Sequence, residues 1–395
     1  MTITINNKNK KTNVPNLRFK EFQGEWGKTK FGDIATGFDY GMNAAAKSYD
    51  GLNKYIRITD IDEASSTYTD KDIVSPDGVL TDNYLVNNCD ILLARTGAST
   101  GKSYLYKKSD GKLYYAGFLI RANVTTHDPY FVFSQLHTHR YWRWVSIMSA
   151  RSGQPGINSQ EYSSFPIYTT SIEEESKIAK LLSLLDERIA TQNKIIDKLQ
   201  TLIKGIVDST ILRKEKNAIV GDVCSISEQI RAEANIDDII TVRLHGNGVC
   251  KSSAENLQLG ATQYYRRRAG QLIYGKQNFH NGAIGIVPIS LDNGITSKDI
   301  PSFDIDEMMC NSVYLLAQLQ SPQYYKPAEA LTTGTGSKRL KEETFLKMPI
   351  VLPNKREQDN IATLIISISA NLDQAKKMLD LFSIQKQYLL RQMFI

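Results

Sequence analysis

Cysteine is scarce. Cys89, Cys224, Cys250 and Cys310 are the only four in 395 residues, and no two form a CxxC pair. That spacing excludes a disulfide framework and a zinc site, and leads us to expect reduced thiols in a cytoplasmic protein. Long apolar runs are missing too. None approaches the ~20 residues of a bilayer span, and a mean hydropathy of −0.32 fits a soluble chain with no membrane partner. The opening MTITINNKNKKTNVPNLRF has no apolar core of the kind a secretory signal carries. Residues 1–14 are expected to be a disordered tail. Histidine is equally rare. His137 and His139 stand two apart beside RYWRW without acidic or cysteine neighbours, so they read as helix histidines and not metal ligands. The net charge of +6 is a mild excess, compatible with a polyanionic partner or an ordinary solvated surface.

Catalytic signatures are also incomplete. LLARTGASTGKSYLY (92–106) approaches a phosphate-binding loop, but only three residues separate Gly97 from Gly101 where that loop needs four. Two Tyr-rich runs follow around KSDGK, which predicts a hairpin and not the helix a phosphate loop opens. HDPYF (127–131) lacks the second proline of an amino-methyltransferase motif, and no glycine loop for S-adenosylmethionine precedes it. EEESK (173–177) reads as the acidic first turn of a helix, favoured by the helix dipole.

Periodicity is what the chain has in abundance. Ile178, Leu182, Leu185, Ile189, Gln192, Ile196, Leu199, Ile203, Ile206 and Thr210 follow alternating steps of four and three. This spacing predicts a long helix with a coiled-coil seam, and Ser171 with Glu174 is a capping box at its start. Adding 183 to each number gives Ile361, Ile365, Ile368, Leu372, Ala375, Leu379, Phe382, Lys386, Leu389 and Met393, apolar at nine of ten positions. Asn354 and Glu357 repeat the cap, and MPI (348–350) repeats FPI (165–167). The chain carries an internal duplication.

A region of roughly 140 to 150 residues precedes each helix, rich in short alternating Tyr, Val, Ile and Thr runs. CDILLARTGASTGKSYLY (89–106) parallels GQLIYGKQNFHNGAIGIV (270–287), and KFGDIATGF (30–38) parallels IVGDVCSIS (219–227). The expected fold class is α+β: two mixed, β-rich domains in pseudo-twofold arrangement, separated by an antiparallel coiled coil of two long helices. A helix of about 40 residues would span ~60 Å. The alternative is two separate helices, each packed on its own domain. Unlike modules on a stiff spacer suit a two-part DNA site, since dimeric readers place equivalent modules ~34 Å apart.

In its tandem layout and its GDI, DILLARTG…GK and FPI/MPI landmarks, the chain resembles the specificity subunit of a type I restriction–modification system, over about residues 15–395. The resemblance implies target recognition domains at 15–165 and 214–349, and conserved helical spacers at 166–213 and 350–395. Each domain would read half of a split, asymmetric site in double-stranded DNA. The paired helices would set the spacing and dock two methyltransferase subunits, with restriction (translocase) subunits completing the assembly. The chain itself would be non-catalytic, without a cofactor; S-adenosylmethionine, ATP and magnesium would sit on partner subunits. A different class, a non-catalytic coiled-coil scaffold for protein partners, is the alternative.

DNA contact needs Lys and Arg for phosphates and short polar side chains for base edges. In the first domain the matching loops carry Asn43 and Lys47; Arg95, Thr96, Ser99 and Lys102; and Arg151, Ser152, Gln154 and Asn158. In the second they carry Arg243 and His245; Lys276, Gln277, Asn278 and His280; and Ser337, Lys338 and Arg339. YYRRR (264–268) is a further candidate phosphate patch. Gln192 and Lys386 are polar seam positions that would fix register.

Overall fold

A computed structural model of the chain describes residues 3–5, 13–150, 155–252, 262–334 and 338–395. It divides into two units, Met1–Asn193 with Met378–Ile395, and Lys194–Lys377.

The centre of the first unit is a four-stranded antiparallel sheet. Its strand order is Thr36–Tyr40, Leu119–Asn123, Asp90–Ala94, Ser103–Leu105. The apolar run Ile91–Ala94 is wholly buried because both its faces are covered. A second pair, Gly27–Lys30 with Pro166–Thr169, closes the domain near the long helix. Three helices, Pro129–Gln135, His139–Ser149 and Ser159–Ser163, complete the core. The second unit repeats this order with Cys224–Ile226, Ser302–Ile305, Leu272–Tyr274 and Ile284–Ile286. Ala218–Ile219 pairs with Pro349–Ile350, and the helices are Ser312–Leu319, Pro322–Tyr325 and Glu342–Leu346. The accessory sheets differ. The first unit adds Ala45–Ser48 with Val74–Asp77, and the second adds Arg231–Ala232, Tyr264–Arg266 and Ile295–Ser297.

The duplication extends to single hydrogen bonds. Gln135 donates to the Tyr168 carbonyl at 2.7 Å and accepts from its N–H at 3.0 Å. Gln318, 183 residues on, does the same with Val351 at 3.3 and 2.8 Å. Asp128 and Asn311 each cap the helix that follows by accepting from two backbone N–H groups. Their own N–H groups donate to Glu175 (3.1 Å) and Gln358 (2.8 Å), both buried in the first turn of a long helix.

Those helices are Ile172–Val207, continued by a π-helical turn Asp208–Leu212, and Lys355–Gln392. Gly205 is their only glycine and they contain no proline, so the 3.6-residue repeat runs unbroken to Val207 and through Lys355–Gln392. All ten positions of each 4-3 series are buried or half-buried, Lys386 and Gln192 included. In the first unit Ile178, Leu182 and Leu185 share a core with Leu389, Leu390 and Met393. Lys386 Nζ lies 2.6 Å from Asp186, and Arg188 stacks on Phe382, so these segments run antiparallel. In the second unit Val207 and Ile211 pack with Ile361 and Ile365, and Lys214 pairs with Glu357, again antiparallel. The alternative of two separate helices, each packed only on its own domain, is thereby excluded.

Two local expectations are corrected. Ser103–Leu105 and Leu113–Tyr115 do not form a hairpin around KSDGK. The first pairs with Asp90–Ala94, and the second runs parallel to Lys54–Ile56. The turn is held by Tyr104, whose hydroxyl donates to Asp110 at 2.6 Å. The acidic first turn at 173–175 does more than favour the helix dipole. The Glu174 carboxylate holds Arg18 with two 2.7 Å bonds and accepts from the Thr170 hydroxyl, so only the Ser171 half of the expected capping box forms. Glu175 accepts from Thr170 N–H and faces His127 Nδ1 at 2.9 Å, and burial pushes its carboxyl up from the usual range.

His137 is half-buried and lies between the helices Pro129–Gln135 and His139–Ser149, not within one. Nδ1 lies 2.9 Å from the Phe133 carbonyl and Nε2 2.9 Å from the Ser66 hydroxyl, which the neutral ring satisfies together. Burial, with Lys386 nearby and Asp186 opposing it, lowers its pKa to about 4. The unfolded chain therefore binds the extra proton between pH 6.5 and 4, and stability is lost as pH falls through that window. Between pH 7 and 5 His137→Gln should lose about 2 kcal/mol less than the wild type in urea unfolding. Equal losses would refute the assignment.

Candidate nucleic-acid interface

In each unit three loops converge at one end of the four-stranded sheet. The hairpin loop of the first unit follows Asp90–Ala94 and returns into Ser103–Leu105, with a short 3-10 turn at Gly97–Ser99. No helix opens here, so the phosphate-loop geometry is absent. Buried tyrosines pin the loop instead. Tyr162 Oη donates to the Ala94 carbonyl at 2.6 Å and accepts from Gly101 N–H, while Tyr141 Oη donates to the Gly101 carbonyl at 2.8 Å. Gly101 sits at φ +93°, and a Cβ there would lie 2.8 Å from Val145.

The second loop pairs with the first. Gly97 N–H donates to Pro155, Ile157 N–H donates to Arg95, and Thr96 bridges Gly156. The third loop joins through Tyr40, whose exposed ring lies under the Arg95 guanidinium at 4.7 Å and whose hydroxyl accepts from Ser159 N–H. Ser159 Oγ also donates to the Phe38 carbonyl at 2.7 Å. Arg95, Thr96 and Ser99 are thus brought together with Asn158, half-buried except for the exposed Asn158. The Asn158 side chain caps the helix Ser159–Ser163 by accepting from Glu161 N–H, so its first role is structural. Asn43 and Lys47 are exposed on the third loop and its strand. Arg151, Ser152 and Gln154 lie outside the described residues.

The second unit assembles its loops in the same way. His245 N–H donates to Asn281, and Gly246 N–H to Gly282, which ties 243–248 to the hairpin loop 275–283. Lys276 N–H donates to Asp299 and its carbonyl accepts from Leu340 N–H, which ties in 338–341. Gln277 and Asn278 are exposed at the tip, and His280 is half-buried beside Asn281. Arg243 is exposed with Nε 3.1 Å from Cys250 Sγ. Lys276 is committed to Glu342 at 2.7 Å, a half-buried pair that anchors Glu342–Leu346. Lys338 and Arg339 are exposed, and Ser337 lies outside the described residues.

YYRRR is only partly a surface patch. Arg266 and Arg268 are exposed, but Arg267 is fully buried, donating to Thr296 (2.7 Å), Ser302 (3.0 Å) and the Ile300 carbonyl (2.9 Å). Burial brings its pKa down to about 10. Tyr40 and the pinning tyrosines 141 and 162 carry no local signal that sets them apart from the chain's other tyrosines. Among the described residues no group of three or more His, Cys, Asp or Glu side chains could hold a metal ion, and no helix is long and apolar enough to cross a membrane.

The chain is similar to known proteins in sequence and in fold. Residues 23–201 match the family described as the type I restriction modification DNA specificity domain. The specificity subunit of the type I restriction enzyme MjaVIII of Methanocaldococcus jannaschii is 22% identical over 323 residues, covering 74% of this chain and 75% of that protein. The crystal structure of a type I restriction–modification S subunit from M. genitalium superposes with a TM-score of 0.65 at 13% identity, over 97% of this chain and 99% of that one. A structure from a study of complex assembly and conformational transition in the type I system gives 0.50 at 13% identity, over 93% and 97%. Residues 23–201 are thus similar to the type I restriction modification DNA specificity domain, and the chain has the fold of the M. genitalium S subunit along nearly its whole length.

Proposed function

We propose that the chain is the DNA-reading, non-catalytic subunit of a type I restriction–modification complex. Each three-loop face reads one half of a split, asymmetric site. The antiparallel helices set the gap and dock the methyltransferase subunits, to which restriction subunits attach. S-adenosylmethionine, ATP and magnesium belong to those partners.

The observation that carries the reading is the matched convergence of three loops on each copy of one scaffold, with the accessory sheets differing between copies. A shared frame with unlike loops suits two unlike half-sites. Among the described residues no carboxylate holds Arg95 on Tyr40 or Arg243 beside Cys250, which leaves these cations suited to a phosphate or a guanine edge. Exposed Leu381, Ile384 and Tyr388 on the second long helix lie away from its seam, as a docking face for a protein subunit requires.

Base-resolved methylome sequencing of cells with and without the gene tests the proposal. Deletion should abolish adenine methylation at one split motif; an unchanged methylome sinks the idea. Arg95→Ala or Arg243→Ala, in complex with the modification partner, should each weaken DNA binding about tenfold and lower the salt slope by about one.

A further inference from the structure

Most of the loop cations are not free to meet a phosphate. Lys102 Nζ is 3.2 Å from Glu63, whose side chain is 86% exposed. Lys47 is 3.7 Å from Asp77, Lys338 is 3.1 Å from Glu329, and Arg339 is 3.3 Å from Asp299. In both units the pattern is the same: a cation on a converging loop and an exposed carboxylate from a different stretch of chain.

Stability does not account for these pairs. Exposed ion pairs contribute ~1 kcal/mol or less. What they alter is the field at the face. A DNA backbone drifting past meets four neutral pairs where it would otherwise meet four cations, and the carboxylates repel it within a Debye length of about 10 Å. Sequence-independent binding draws on cations neutralising phosphates, so it loses most from such pairing. A correct site also offers base-edge hydrogen bonds to Thr96, Gln277 and Asn278, and these offset the small cost of turning each cation from its carboxylate to a phosphate.

We propose that Glu63, Asp77, Asp299 and Glu329 are specificity-determining carboxylates, which suppress binding to non-target DNA by holding the loop cations until a matching site displaces them. This rests on the DNA-reading function proposed above.

The test compares the full chain, in complex with its modification partner, on two duplexes of equal length. One carries the motif recovered by methylome sequencing and the other a scrambled sequence. The variant Glu63→Gln, Asp77→Asn, Asp299→Asn and Glu329→Gln should bind scrambled DNA at least about tenfold more tightly, with a salt slope steeper by roughly two to four. Its affinity for the target should rise less than threefold, so the ratio falls. A control neutralises four exposed carboxylates outside these loops, Glu25, Glu215, Glu228 and Glu233, and should leave the ratio unchanged. Equal gains on both duplexes, no gain on scrambled DNA, or the same fall in the control would each overturn the inference. A wild-type complex that does not distinguish the duplexes would instead sink the DNA reading itself. Single Glu63→Gln and Glu329→Gln variants, at exposed positions, separate the two faces if the fourfold variant is poorly folded.

Discussion

Glu174→Ala is expected to cost the first unit about 3–5 kcal/mol of unfolding free energy. Glu357→Ala, at the equivalent place in the second repeat, should cost less than about 1 kcal/mol. Sequence position is the same, and surroundings decide the difference. The Arg18 and Glu174 side chains are 6% and 1% exposed and joined by two 2.7 Å bonds. Removing the carboxylate leaves a buried guanidinium with, among the described residues, only the Gly24 and Gln23 carbonyls. Lys214 and Glu357 are 40% and 39% exposed, so water replaces the lost partner. Urea unfolding of the two variants checks this. Equal costs would show that the ion pair does not tie the strand Leu17–Phe19 to the helix.

Gly101→Ala should destabilise by roughly 2–4 kcal/mol. The residue adopts φ +93°, and its new methyl would lie 2.8 Å from Val145 Cγ1 and 3.0 Å from Trp142, both in the helix His139–Ser149 behind the loop. Gly24→Ala is the control. It has φ +83° but open space around it, so only the backbone cost of about 1 kcal/mol remains. The loop that Gly101 closes carries Arg95, Thr96 and Ser99, so the variant should also lose DNA affinity at temperatures where it remains folded. Thermal unfolding with DNA titration tests both; a Gly101 variant no worse than the Gly24 one would refute the crowding argument.

The strongest features of the fold were legible because they repeat. The 4-3 series marks two seams because a helix buries every third or fourth residue, and the 183-residue offset exposes the second copy. The alignment of 89–106 with 270–287 likewise places both hairpin loops on equivalent strands. What failed were readings that depend on distant partners. KSDGK looked like a hairpin turn because local chemistry cannot show that Leu113–Tyr115 prefers Lys54–Ile56. Glu174 looked like an ordinary helix-start acid because Arg18 is 156 residues away. Arg267 looked like its neighbours in YYRRR, yet it lies just past the strand Tyr264–Arg266 and is held in the core by Thr296, Ser302 and the Ile300 carbonyl. The candidate site was legible as loops but not as a surface. Nothing local joins Arg95 to Tyr40, Lys276 to Glu342, or Lys102 to Glu63.

The capping residues Asp128 and Asn311 differ in one respect. Asp128 accepts from the Ser176 hydroxyl at 3.1 Å, whereas Asn311 donates to the Asp359 carboxylate at 2.9 Å, and residues 176 and 359 are again 183 apart. Donor and acceptor have changed sides of the same contact. His127 against Glu175 likewise has Cys310 and Gln358 at its matching positions. The two contacts are therefore a lock and a differently cut key. A domain transplanted from the first position to the second would set Asp128 against Asp359, two carboxylates where one hydrogen bond belongs. A domain replaced by another cut for the same position keeps its contact. New loops carried on a domain cut for its own slot would keep the contact, while a domain moved between slots would meet charge repulsion.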